Sequence, residues 1–309
     1  MTKVAVIGAG LIGRAWSIVF ARAGFEVSLW DKFPETIPPA LDYIAERLPE
    51  LREAGLLADE PQAVLARIRP AATIAEAVAG VDYVQENGPE RIPEKQDLFA
   101  ELDRHAAAHV VLASSTSGIP ASEFTGNLAG RGRCLVAHPV NPPYLIPLVE
   151  ICPAPWTADW AVARAREIME QAGQVPATIN REVQGFVLNR LQGALLAEAF
   201  RLIDDGLISP EDLDATVKHG LGLRWSFMGP LETIDLNAPG GLADYCARYG
   251  GLYADMQAQT APREWTAELV GKLHAAQRER LPLNMQGVRQ EWRDRRLMAL
   301  LAHKAGQPE

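Results

Sequence analysis

Between Cys134 and Ile151 a histidine and a glutamate, His138 and Glu150, stand on two short apolar runs joined by a proline-rich loop. The runs, Leu135 to Val140 and Leu148 to Ile151, have β-type composition and read as the two strands of a hairpin that brings the side chains together. An unperturbed imidazole titrates near pH 6.5, about where a general base works at neutral pH. A neighbouring carboxylate would fix its tautomer and hold its charged form. Pro142 and Pro143 push Asn141 and its neighbours toward extended backbone and stiffen the loop. A satisfied core histidine and an edge-strand glutamate would leave the same pattern, so the pair alone does not decide between chemistry and packing.

The elements that position this pair belong to a chain of 309 residues, 48% hydrophobic, long enough for one large or two ordinary domains. The net charge of -9 and pI near 5.3 argue against nucleic acid or an anionic membrane as the main partner. No apolar run approaches the ~20 residues that span a bilayer. The first strand starts at Lys3 with no signal-peptide core ahead of it, so a cytoplasmic location is expected. Cys134, Cys152 and Cys246 lack metal-type spacing and read as buried thiols, with no metal expected.

Val4 to Ile7 is a short buried strand that runs into Gly8-Ala-Gly10-Leu11-Ile12-Gly13, and Arg14 to Ala23 has helical composition. A second strand, Val27 to Trp30, ends at Asp31, which completes the dinucleotide fingerprint. In it Gly8 allows the tight turn, Gly10 lets backbone N–H groups approach a pyrophosphate, and Gly13 lets helix and sheet pack closely. Asp31 would accept hydrogen bonds from the adenosine ribose and repel a 2′-phosphate, which favours NAD over NADP.

Residues 33 to 66 read as helical segments broken at Pro34, Pro38, Pro39 and Pro61. Strands follow at Val81 to Glu86 and His109 to Ala113, separated by a helix that starts near Pro89 and carries Lys95, Leu98, Phe99 and Leu102 at core spacing. This alternation calls for a doubly wound parallel sheet of Rossmann type, with ligands at the carboxyl ends of its strands. Ser114 to Ser117 lies at such an end and by itself reads as a polar turn. Beyond the hairpin, Thr157 can cap a helix to Ala172, and Gln174 to Ile179 makes a last strand. From Gly185 the chain reads almost wholly helical, beginning with Phe186 to Asp204, so we expect domains at 1–183 and 184–309. Asn189 and Arg190 sit in the first turn of that apolar helix, where polar groups cost stability unless hydrogen-bonded. Gly220 to Thr233 reads as a shaped loop containing Arg224, and Gly287 to His303 as an amphipathic last helix.

Four stretches carry a resemblance along essentially the whole chain: Val136-Ala-His138-Pro-Val-Asn-Pro-Pro143, Gly185-Phe-Val-Leu-Asn189-Arg-Leu-Gln192, Gly220-Leu-Gly-Leu-Arg224 running to Gly229-Pro-Leu-Glu-Thr233, and Trp292-Arg-Asp. They resemble the 3-hydroxyacyl-CoA dehydrogenase superfamily, and within it the L-gulonate 3-dehydrogenase (lambda-crystallin) branch. The resemblance implies that His138 is the catalytic base, Glu150 its partner, and Ser117 and Asn189 the groups that hold the reacting oxygen or substrate carboxyl. It further implies an NAD site made by Gly8, Gly10, Leu11, Ile12, Gly13, Asp31, Glu90, Lys95, Ser117 and Asn141, and a homodimer paired through the helical domain.

In CoA-using relatives the helical excursion after the second strand helps hold CoA, whose phosphates call for basic partners. Here residues 33 to 66 carry seven acids (Glu35, Asp42, Glu46, Glu50, Glu53, Asp59, Glu60) against two bases (Arg47, Arg52), which would repel a polyphosphate. A small free 3-hydroxy acid is therefore the expected substrate, its carboxylate paired with Arg224 or Arg190. The alternatives are an acyl-CoA, carnitine or diketo-ester dehydrogenase, and a non-catalytic NAD-binding protein.

Overall fold

A computed structural model describes residues 1–307. β1 (Lys3–Ile7) is buried beyond its first residue, as its unbroken apolar run requires of a central parallel strand. After the glycine turn come α1 (Leu11–Arg22) and β2 (Glu26–Trp30), the latter parallel to β1 with Val6 opposite Leu29.

The four prolines expected to break the next segment start helices instead, while Pro49 lies inside one. Pro34 opens a 3-10 turn, Pro38 and Pro39 lie in the first turn of α2 (Ile37–Glu53), and Pro61 opens α3 (Pro61–Leu65). First-turn N–H groups have no intrahelical partner, so a proline there loses nothing. β3 (Ile68–Pro70), too short for a periodicity signal, adds an edge strand on β2.

The remaining elements of the sheet region are α4 (Ile74–Ala77), β4 (Tyr83–Glu86), α5 (Ile92–His105), β5 (Val111–Ser114), α6 (Ser122–Thr125), β6 (Cys134–Pro139), β7 (Leu148–Pro153), α7 (Asp159–Gln171) and β8 (Val175–Thr178). The eight strands form one sheet in the order β3-β2-β1-β4-β5-β6-β7-β8. All neighbours are parallel except β6 and β7, which make the expected antiparallel pair with His138 opposite Glu150. Thr157 does not cap α7. Ala158 holds that position, while the Thr157 hydroxyl donates to the Cys134 carbonyl at 2.6 Å and accepts from the Ala154 N–H at 2.8 Å.

Successive residues of β1 feed opposite faces. Val4 and Val6 join a core with Trp16 and Phe20 of α1, Ile44 and Leu48 of α2, and Ile168 of α7. Ala5 and Ile7 join Phe99, Leu102 and Phe124 on the other face. Cys134 and Cys152 are buried in the sheet, and burial pushes both thiols up to about 12, so neither is a nucleophile near neutral pH. Cys246, expected to be buried, is exposed.

The helical region comprises α8 (Leu188–Asp204), α9 (Pro210–Thr216), α10 (Gly222–Trp225), α11 (Pro230–Asp235), α12 (Gly241–Ala258), α13 (Ala267–Arg280) and α14 (Gln286–Ala305). The stretch around Gly220 is not a loop: a π-helical turn, Val217–Leu221, runs directly from α9 into α10. A Cβ on Gly222 would approach the Val217 carbonyl oxygen to 3.1 Å, so the glycine there serves tight helical winding. By packing, the chain divides into two compact units, Met1–Arg190 with the chain from Arg293 onward, and Leu191–Trp292. The end of α14, which the sequence reading grouped with the helical domain, thus belongs with the sheet, where Met298 joins the core of α1 and α2.

Candidate active site

The antiparallel register places His138 and Glu150 directly across from one another, with His138 Nδ1 at 2.9 Å from Glu150 Oε2. Both are buried, at 5% and 2% exposure, so the pair is shielded from water. The other carboxylate oxygen, Oε1, accepts the backbone N–H groups of Val187 at 2.9 Å and Leu188 at 2.8 Å, at the start of α8. Two consecutive residues with positive φ, Gly185 (75°) and Phe186 (53°), reverse the chain just ahead of those amides. A bulky residue in that region costs of order 1–3 kcal/mol. It is fixed here because the Phe186 ring, fully buried, lies with its centroid 5.3 Å from that of the imidazole.

Burial by itself would push the Glu150 carboxyl up. The hydrogen bonds from His138, Leu188 and Val187 and the charge interaction with the imidazole outweigh it, and hold the group below the ordinary carboxylate range. An ionised carboxylate only accepts, so Nδ1 carries a hydrogen, and it is Nε2 that can gain or give up the second one. The arrangement is that of a general base with its orienting acid.

Three strands along the sheet from His138, at the carboxyl end of β1, the glycine turn fits a dinucleotide. Gly8 has φ of 101°, and its N–H is bonded to the Trp30 carbonyl at 2.7 Å. A Cβ on Gly13 would fall 1.7 Å from the Gly8 carbonyl oxygen, so Gly13 admits the turn itself, a more specific duty than the helix–sheet approach expected of it. Above Gly10 there is open space. Gly10 is the N-cap of α1 and supplies no side-chain cap, and no acid lies in the first turn, which leaves the helix terminus, where Leu11 and Ile12 sit, for an anion. Asp31 accepts from the Ala9 N–H at 2.6 Å and the Phe33 N–H at 2.9 Å, and each oxygen keeps a lone pair for a ribose hydroxyl.

The other expected site residues form a second group. Ser114 pairs with Val136, so Ser117 and His138 emerge at the same edge from neighbouring strands. Glu90 Oε1 accepts from the Thr116 hydroxyl at 2.5 Å and from the Ser117 and Gly118 N–H groups at 3.0 and 3.2 Å. Asn189 donates from Nδ2 to the Ser117 carbonyl at 2.7 Å. Lys95 is 1% exposed and ion-paired with Glu86. Asn141 is exposed and followed by a cis peptide bond to Pro142. Arg190 is exposed beside Asn189, and Arg224 is exposed on α10 in the second unit.

Sequence reasoning missed a network beneath these groups. The Ser115 hydroxyl accepts from Trp16 Nε1 at 3.0 Å and Gln85 Nε2 at 2.7 Å and donates to Asn87 Oδ1 at 2.7 Å. Gln85 also donates to the Ala137 carbonyl, next to His138. Asn87 reaches the carbonyls of Ile7 and Gln85, below the glycine turn. The available signal was the run Gln85-Glu86-Asn87 closing an otherwise apolar strand, since polar groups persist in a buried strand end only where they are bonded.

A doubly wound sheet with an open glycine turn and an oriented buried histidine defines a dinucleotide-dependent oxidoreductase. Residues 3–183 match the NAD-binding domain of 3-hydroxyacyl-CoA dehydrogenase and residues 185–280 match its C-terminal domain. The chain belongs to the 3-hydroxyacyl-CoA dehydrogenase family, NAD-dependent dehydrogenases that act on CH–OH groups. It is 43% identical to the lambda-crystallin homolog of Bos taurus, over 99% of this chain and 97% of that one. It is 40% identical to the L-carnitine dehydrogenase of Streptomyces griseus, over 80% of this chain and 73% of that one. Among solved structures, 5-formyl-3-hydroxy-2-methylpyridine 4-carboxylic acid 5-dehydrogenase, an NAD-dependent dismutase, superposes with a TM-score of 0.85 at 28% identity, covering 100% of both chains. NAD is the cofactor, and among the described residues no helix is long and apolar enough to cross a membrane.

Proposed function

We propose that the protein oxidises the 3-hydroxyl of a small, L-gulonate-like 3-hydroxy acid to the 3-keto acid. The observation that carries this reading is the buried His138–Glu150 pair, in which one carboxylate oxygen orients the imidazole and the other is held by two backbone amides. NAD, when bound, supplies the hydride acceptor. The proton side of the oxidation falls to the chain: His138 Nε2 takes the proton of the C3 hydroxyl, and Glu150 stabilises the imidazolium. Ser117 and Asn189 position the reacting oxygen, and Phe186 and the buried hairpin exclude water. The cofactor-side groups are Gly8, Gly10, Leu11, Ile12, Gly13 and Asp31, joined by Glu90, Lys95, Ser117 and Asn141.

The preference for a free acid over a CoA ester rests on charge. Both bases of the α2 region are already engaged, Arg47 with Glu50 at 2.7 Å and Arg52 with Glu60 at 2.7 Å, so the segment offers no free cation for phosphates. Among the described residues the guanidinium of Arg190 has no ion-pair partner, which suits it to the substrate carboxylate. A panel of L-gulonate, L-carnitine, 3-hydroxybutyrate and 3-hydroxybutyryl-CoA, followed at the NADH absorbance band, tests the assignment. Turnover of the CoA ester alone overturns the free-acid reading, and no turnover with intact NADH binding favours a non-catalytic protein.

The second unit is expected to pair with its copy in a homodimer. Leu191, Leu223, Phe227, Leu231 and Leu236 are each more than 60% exposed on the isolated chain, more apolar surface than a monomer ordinarily leaves wet. Light scattering that finds a monomer at micromolar concentration refutes this.

A further inference from the structure

The histidine dyad and the cofactor-side groups leave Glu86, the buried partner of Lys95, without a duty. Glu86, the last residue of β4, is 0% exposed, and Lys95 of α5 is 1% exposed. Lys95 Nζ lies 3.1 and 3.0 Å from the two Glu86 oxygens and 3.3 Å from Ser114 Oγ. The Ser114 hydroxyl donates to Glu86 Oε2 at 2.5 Å, and the Gly88 N–H donates to Oε1 at 2.6 Å. A Cβ on Gly88 would come within 2.8 Å of that same oxygen, so the chain is shaped to reach it. For stability alone such a pair is a poor choice, because apolar residues of similar volume often do as well or better.

What the pair touches next supplies a reason. Lys95 Nζ is also 3.9 Å from Glu90 Oε2, and the other oxygen of Glu90 gathers the Thr116 hydroxyl and the Ser117 and Gly118 amides. The Ser117 carbonyl in turn holds Asn189. The order of contact is therefore Glu86, Lys95, Glu90, the 116–118 turn, Asn189. With a Glu90 side chain that is 47% exposed, the turn would lose its anchor whenever that carboxylate swung into water. A fixed ammonium on its inner side opposes the swing.

We propose that Glu86 is a positioning residue: it fixes Lys95 so that the ammonium holds Glu90 against the turn carrying Ser117, and through Ser117 it also sets Asn189. The inference rests on the proposed roles of Ser117 and Asn189, but its primary test needs no substrate. Amide hydrogen exchange on the full-length protein compares wild type, Glu86→Gln and the charge-free double variant Glu86→Leu/Lys95→Met, the double guarding against a single variant that misfolds from an unpaired buried charge. The peptide covering Ser117 and Gly118 is expected to exchange about tenfold faster or more in both variants. The hairpin peptides of His138 and Glu150 should be unchanged. Unchanged exchange at 117–118 in a folded double variant overturns the proposal and leaves the pair a packing feature.

Where the substrate panel gives turnover, kcat of Glu86→Gln is expected to fall about 10- to 100-fold. In that setting Ser117→Ala must cost less in the Glu86→Gln background than in wild type, and independent, multiplying effects also overturn the assignment. If no substrate turns over, the exchange measurement still decides about Glu86, while the proposed reaction falls on its own panel.

Discussion

Replacing Glu150 by glutamine tests the dyad most directly, because it removes a charge while nearly preserving shape. Glu150 accepts three hydrogen bonds, one from His138 and two from the amides of Val187 and Leu188. Glutamine has one acceptor oxygen. If that oxygen faces His138, two part-buried amides lose their partner, at up to about 1–3 kcal/mol each. If it faces the amides, its NH2 group donates to Nδ1, the imidazole hydrogen moves to Nε2, and the base has no lone pair for the substrate. The working arrangement is thus disfavoured by roughly 2–6 kcal/mol, which at 1.36 kcal/mol per decade lowers kcat/KM by about 30-fold to 10⁴-fold. The assay is the initial rate of NADH formation with any active substrate of the panel, alongside an NADH fluorescence titration to show that the cofactor site is intact. A Glu150→Gln protein that binds NADH normally and keeps kcat/KM within about fivefold of wild type would refute the tautomer argument.

The same carboxylate shapes acid stability. Its pKa is lowered from 4.5 in the folded state, so its contribution is complete above about pH 4.5 and is lost as pH falls through the lower folded value. The melting-temperature gap between wild type and Glu150→Gln should accordingly shrink as pH falls below about 4, and a gap independent of pH from 5 down to 3 contradicts this. Gly13→Ala forces a Cβ to within 1.7 Å of the Gly8 carbonyl oxygen. Overpacking of about 1–3 kcal/mol should raise the NADH Kd by tenfold or so and lower the melting temperature, both read in one titration and one melt. Gly10→Ala faces open space in the protein, so it should weaken NADH binding with the melting temperature held within about 1 °C.

Much of this was legible beforehand because the deciding features are local. A strand, a glycine turn, a helix and Asp31 lie within one short segment, and backbone geometry alone makes glycine necessary where φ is positive, as at Gly8. The His138–Glu150 contact was readable because a hairpin has only a few registers, and alternation fixes which side chains meet. The prolines of α2 and the glycines around α10 misled, since each is tolerated inside or at the start of a helix for reasons that depend on neighbours beyond the local window.

By itself, then, the sequence determined the class of sheet, the cofactor turn and the meeting of His138 with Glu150, because these follow from periodicity and from residues that adjacent strands must bring together. Only the tertiary structure decided what those residues lean on: two amides from the start of α8 on Glu150, Ser115 as a hub between Trp16, Gln85 and Asn87, and Lys95 turned inward to Glu86. These contacts join residues up to 99 positions apart, and their partners are chosen by which polar atoms remain unsatisfied once the core has closed. A polar run such as Gln85 to Asn87 marks that partners are needed, but which atoms supply them is settled only when distant elements pack.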